Sequence, residues 1–194
     1  MKTDPSLQSL SQQEKQFLLS LARASIDRAI HRQPLPEINL EGLSDILKNE
    51  GAAFVTLTKE KKLRGCIGAL EAYQPLVMDV REHAVAAAME DYRFRPVSAP
   101  ELSSISIEIS RLTQPMPLEY PDAGTLIDLL RPGVDGVILS DGFRRATFLP
   151  QVWEQLPNPE DFLAHLCHKM GVDPDTWRKK HLVISIYQVE EFHE

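Results

Sequence analysis

The residues with most chemical content are Leu63-Arg64-Gly65-Cys66-Ile67-Gly68, which set a thiol and a guanidinium between two glycines. A cysteine can act as nucleophile or covalent carrier when it is reachable and a cation or base stands near it. Strand alternation puts Arg64, Cys66 and Gly68 on one face and Leu63, Gly65, Ile67 and Ala69 on the other. Arg64 and Cys66 would then lie about 7 Å apart, close enough for the cation to act on the thiol but too far for a hydrogen bond. Gly65 and Gly68 would leave the sulfur unshielded, since glycine inside a strand marks a bulge or a close approach by a ligand or another backbone. On the simpler reading Cys66 is a small buried hydrophobe, as free cysteines usually are.

A nucleophile needs a base, and the six histidines are His31, His83, His165, His168, His181 and His193. His83 is the best placed, on the segment that follows the motif. Glu108, between Ser106 and Ser110, would serve as acid, base or acceptor if its polar face lines a cleft. Asp91-Tyr92-Arg93-Phe94-Arg95-Pro96 groups acid, base and aromatic residues in a segment able to close over a pocket, and Arg93 joins Arg64, Gly65 and Gly68 as a binding candidate. As plain structure, Asp91 and Arg93 form a surface pair and Phe94 a plug. His165, Cys167 and His168 do not converge on a helix, so no metal site is expected. Nothing names a cofactor: phosphate-loop, GxGxxG, HExxH and GxSxG patterns are absent.

These groups must be positioned by a mixture of helices and strands. Ser11-Gln12-Gln13-Glu14 has capping-box spacing, and the stripe through Phe17, Leu18, Leu21, Ile26 and Ile30 predicts a helix over 12–31. A short helix at 44–49 precedes a hairpin of strands 52–58 and 63–70 joined by a four-residue loop. Small and apolar residues from Leu76 to Ala88 predict a tightly docked helix to Glu90, and Ile105, Ile107 and Ile109 alternate with polar residues in a strand over 102–112. Beyond the prolines at 115, 117 and 121 come a helix at 125–130, a hairpin turning at Asp141-Gly142, a helix at 158–171 and a closing strand at 181–189. Two hairpins without βα alternation imply an α+β fold, a mainly antiparallel sheet of five or six strands flanked by helices.

The chain has 194 residues, 43% hydrophobic and 25% charged, as in a globular protein. Its 28 acidic against 21 basic side chains speak against nucleic-acid binding, although local basic clusters occur at 59–64, Arg93 with Arg95, and Arg144 with Arg145. The polar start and the lack of a long apolar run predict a cytoplasmic protein with no membrane span, and two cysteines a hundred positions apart predict reduced thiols.

The hexapeptide resembles the hallmark of the AMMECR domain, found in AmmeMemoRadiSam system protein A of bacteria and archaea and in eukaryotic AMMECR proteins. The resemblance covers most of the chain: Leu21-Ala22-Arg23, 51–57, Asp91-Tyr92-Arg93-Phe94, Ile107-Glu108-Ile109-Ser110, 133–139, 147–154, Phe162-Leu163 and Leu166-Cys167. It implies a single domain over 1–194, with a larger lobe built from both chain ends and a smaller helical lobe at roughly 71–104 leaving a cleft beside the hallmark. It also implies association with Memo-type and radical-SAM proteins, and carries no settled reaction.

Two readings follow. In the first, which the sequence favours, the chain is an enzyme or a subunit of a modification system, with Cys66 as nucleophile or carrier, Arg64 holding an anionic group, and Glu108 or His83 handling protons. In the second it is a non-catalytic adaptor in which the hexapeptide packs the fold.

Overall fold

The computed structural model describes residues 9–194 as two compact units. The first runs to Thr113 and takes in Glu190–Glu194; the second is Gln114–Val189. The fold is α+β, with two four-stranded sheets in place of one sheet of five or six strands.

In the first unit α1 (Gln12–Ile30) starts at the expected capping box, where the Ser11 hydroxyl accepts from the Glu14 amide and the Glu14 carboxylate from the Ser11 amide. A short helix α2 (Asp45–Lys48) leads to strands β1 (Ala52–Lys59) and β2 (Lys62–Gly68). The connection between these strands is two residues, not four. Glu60 and Lys61 both take positive φ, 52° and 62°, the backbone of a tight turn whose twist matches the strands it joins. Helix α3 (Leu76–Met89) follows, then a 3-10 turn (Ala99–Ser104) and β3 (Ile105–Leu112). The sheet order is β2-β1-β3-β8, with β8 spanning Val189–His193.

Helices α1 and α3 cover one face of this sheet. Val55, Leu57, Ile107 and Ile109 from the strands meet Leu18, Ala22, Ile26, Val80, Ala84 and Ala87 in a single core. Small residues on α3 let it lie close to β1 and β2, so residues 71–104 are integral to the larger unit. The division therefore falls elsewhere than the lobe expected at 71–104; the smaller unit is the segment after Thr113.

That second unit holds β4 (Met116–Pro117), α4 (Ala123–Leu129), β5 (Gly136–Asp141), β6 (Arg144–Phe148), α5 (Pro159–Lys169), α6 (Thr176–Lys179) and β7 (Val183–Tyr187). Its sheet runs β4-β7-β5-β6, packed by Trp153 and Phe162 stacked 3.7 Å apart, with Leu139, Leu163, Leu166, Cys167 and Trp177 around them. The closing strand expected at 181–189 is two strands, β7 in this sheet and β8 in the other, separated at Gln188. No helix among the described residues is long and apolar enough to cross a membrane.

Candidate functional site

Strand β2 is the edge of its sheet, and its sequence fits that place sterically. A methyl group on Gly65 would stand 2.1 Å from the Ala87 carbonyl oxygen of α3. One on Gly68 would lie 2.5 Å from the Ala53 carbonyl oxygen and from Phe54. Both glycines are thus required by the packing of β2 against α3 and β1.

Gly65 faces α3, so the next side chain, Cys66, projects from the opposite face. Its partner across the strands is Thr56, flanked by the buried Val55 and Leu57, and the Thr56 hydroxyl donates to Cys66 Sγ at 3.3 Å. Thr56 in turn pairs with Glu108 on β3. Cys66, Thr56 and Glu108 form a row across the face turned away from the helices, its outer members two strand spacings, about 10 Å, apart. All three are half-buried, and the Glu108 carboxylate makes no hydrogen bond or ion pair among the described residues.

Arg64 does not join this row. Pairing jumps from Leu57 with Gly65 to Thr58 with Leu63, leaving Arg64 as the extra residue of a bulge. The bulge breaks the alternation that would have set Arg64 beside Cys66, and Leu63 takes the position opposite Thr58. The Arg64 guanidinium is bound through Nε and Nη2 to Glu101, each at 3.3 Å, and through Nη2 to the Pro96 carbonyl at 3.4 Å. Glu101 also accepts from Lys59 and from the amide and hydroxyl of Ser98. The Arg64 guanidinium above all, then the Ser98 donors and Lys59, hold its carboxyl well below the usual carboxylate range.

The backbone of Cys66 faces the open edge of β2 and is met there by side chains. Its amide donates to Asp91 Oδ2 at 2.8 Å, and its carbonyl accepts from Arg93 Nη2 at 3.1 Å. Arg93 also grips Asp91 through Nε and Nη2, at 2.9 and 2.7 Å. Together the pair occupies the positions that a neighbouring strand would fill, one way in which a sheet edge is closed to unwanted pairing. The Asp91 carboxyl is buried and is held far below its ordinary range, first by the Arg93 hydrogen bonds and further by the Cys66 amide. Arg93 is correspondingly held more firmly protonated. More than a surface pair, Asp91 and Arg93 are the clamp on the Cys66 peptide.

His83 lies elsewhere. On α3 its Nδ1 meets Asp79 Oδ2 at 3.1 Å, and the same oxygen accepts from the Ala53 amide at 2.9 Å. Asp79 is fully buried, and its Oδ1 has no hydrogen-bond partner among the described residues. The helix carrying this pair covers the face opposite the thiol, so the sheet stands between His83 and Cys66. In the second unit Cys167 is fully buried and burial pushes its thiol up, while His165 Nδ1 contacts the Asp161 carbonyl. No group of three or more His, Cys, Asp or Glu among the described residues could hold a metal ion.

Sequence reasoning singled out Cys66, Arg64, Gly65, Gly68, Arg93, Glu108 and His83. The structure brings Cys66 and Glu108 onto one face, gives Arg93 to the Cys66 backbone, engages Arg64 with Glu101 and separates His83. It adds Thr56, Asp91 as an acceptor, and Glu101. Only Glu101 had a local signal, since Ser98-Ala99-Pro100-Glu101 spells a capping box, which forms.

The comparisons agree with this architecture. The family profile described as AMMECR1 matches residues 19–192. A protein of Methanothermobacter thermautotrophicus is 37% identical over 95% of this chain and 96% of its own length. One from Methanocaldococcus jannaschii is 34% identical over 95% and 92%. The crystal structure of the uncharacterised protein PH0010 from Pyrococcus horikoshii superposes with a TM-score of 0.74 at 31% identity, covering 92% of this chain and 90% of that one. With a matching profile along nearly its whole length and relatives above 30% identity, the chain belongs to the AMMECR1 family.

Proposed function

We propose that this chain is a non-catalytic binding module, an adaptor in which the Leu63–Gly68 segment is structural. The observation that carries the reading is the engagement of the two groups expected to activate Cys66. Arg64, the candidate cation, is bound to Glu101, and His83, the candidate base, is paired with Asp79 on the far side of the sheet. The partners proposed are Memo-type and radical-SAM proteins, from the family resemblance, and the compartment is the cytoplasm, consistent with two free thiols. The row of Cys66, Thr56 and Glu108 is then a polar surface available for contact.

One observation favours the enzyme reading. The Cys66 thiol is half-exposed, accepts from Thr56, and shares its face with an uncommitted carboxylate, Glu108. At about 10 Å, beyond the reach of direct proton transfer, that carboxylate would act on a substrate seated over Thr56.

The two readings part on one substitution. A host strain lacking the gene is complemented with the wild-type chain and with Cys66→Ala. The binding reading expects both to restore the wild-type phenotype; a folded, normally expressed Cys66→Ala protein that behaves as the deletion establishes a chemical role for the thiol.

A further inference from the structure

The basic clusters noted in the sequence are brought together by the fold. The segment after α3 runs along the outer edge of β2, with Arg93 at the Cys66 carbonyl and the Pro96 carbonyl at Arg64. Arg95, in the chain between these two contacts, therefore runs along the β2 edge beside Arg64, on the hairpin that also carries Lys59, Lys61 and Lys62. Residues 59–64 and 91–101 hold six basic side chains, at 59, 61, 62, 64, 93 and 95, against three acidic ones, at 60, 91 and 101. In a chain whose 28 acidic residues outnumber its 21 basic ones, the sign is reversed locally.

Half of these six cations are engaged by carboxylates of the fold and half are left for a partner. Glu101 takes Lys59 and Arg64, and Asp91 takes Arg93. Lys61, Lys62 and Arg95 are exposed and form no ion pair among the described residues, with the exposed Glu60 beside Lys61 in the turn and Glu90 at the margin. Among these cations stand two uncovered apolar side chains, Tyr92 at 93% exposure and Leu63 at 45%. Tyrosine, arginine and an aliphatic anchor on one surface are what protein interfaces concentrate at their centres. Solvation gives no reason for a tyrosine to be held outward by two neighbours whose own side chains are fixed on Cys66.

We propose that this edge, from the β1–β2 turn to the Tyr92 loop, is a docking surface for an acidic segment of a partner protein. Carboxylates of the partner meet Lys61, Lys62 and Arg95, and its apolar side chains pack on Tyr92 and Leu63. A nucleic acid fits less well, because three uncommitted cations on a chain of formal charge −7 offer little to a polyphosphate. The proposal rests on the binding-module reading and adds to it the surface and the chemistry of the partner.

The test uses the full chain, isotope-labelled for NMR and titrated separately with a poly-glutamate peptide, a single-stranded DNA oligonucleotide of matched charge, and inorganic phosphate. The expected result is that the peptide shifts the resonances of Lys61, Lys62, Leu63, Tyr92 and Arg95, and that added salt weakens its binding. Lys62→Glu with Arg95→Glu lowers its affinity by about tenfold or more, and Tyr92→Ala by roughly fivefold or more. These side chains form no ion pair that the fold needs, so the variants fold, and the NMR spectrum of each shows it. Perturbation of the Cys66, Thr56 and Glu108 face instead, or no perturbation, overturns the assignment of this surface. Tighter binding of the oligonucleotide at the same residues overturns it in favour of nucleic acid, and phosphate acting as strongly as the peptide reduces it to a simple anion site. A Cys66→Ala protein that fails in the host would overturn the binding-module reading and leave this map unchanged.

Discussion

The two faces of the β2-β1-β3 sheet differ in how much change they can bear. Toward α3 the contact is backbone against backbone, with Gly65 under the Ala87 carbonyl, fully buried side chains on β1 and β3 and a partly buried Ile67 on β2. Away from it, Cys66, Thr56 and Glu108 are half-buried and polar, held to the fold by one hydrogen bond to sulfur. Within the hexapeptide, then, the constraint is heaviest on the glycine before the cysteine. A motif that reads as a reactive centre is, on this side, a packing requirement.

The comparison is broken most severely at Gly65. Gly65→Ala forces a methyl group into the Ala87 carbonyl and should cost about 3 kcal/mol, lowering Tm by roughly 10 °C in a thermal melt. A loss near zero would mean that β2 and α3 are not in close contact.

Asp91→Ala comes next, at about 2 kcal/mol, because it leaves the outward amide of Cys66 without its acceptor. Water at the partly exposed Arg93 offsets the rest of the loss. The same carboxyl shapes the acid limb of stability. Asp91 and Glu101 bind protons less readily folded than unfolded, so the unfolded chain takes up more protons as pH falls. Their contribution is present above the unfolded carboxyl range, near pH 4, and is lost as pH drops through and below it. Urea denaturation between about pH 6 and pH 3 should show wild type losing stability toward acid, and Glu101→Gln, weaker at neutral pH, losing less.

On the open face the effects shrink. Cys66→Ala should cost about 1 kcal/mol or less, since it removes a half-exposed thiol and a single hydrogen bond. Glu108→Gln should fall within about 0.5 kcal/mol, because the carboxylate makes no hydrogen bond or ion pair among the described residues. A large loss at Glu108 would show that this face is packed as tightly as the other.

The helices were legible because their signals are local: the capping box at Ser11 and the apolar spacing of α1 set its start and length. The sheet edge was less so. Nothing in Glu60-Lys61 marks a two-residue turn, since the glycine or asparagine that usually supplies positive φ is absent. Strand alternation for Arg64 failed at a bulge, where one extra residue changes what the side chains beyond it face. The chain passes from one sheet to the other at Gln188 without a proline or glycine to announce it. For the site, residue type nominated Cys66 and Glu108, and only the pairing of three strands showed that they share a face. The engagement of Arg64 by Glu101 is a long-range contact that spacing does not encode.

The central claim is that Cys66 is not activated by Arg64 or His83, the cation held by Glu101 and the base held by Asp79, and its rate of alkylation tests this most directly. Native protein treated with iodoacetamide at neutral pH should be modified at Cys66 no faster than free glutathione, with Cys167 protected until the second unit unfolds. Alkylation of Cys66 about tenfold or more faster than glutathione would contradict the account and return the motif to the role of an active site.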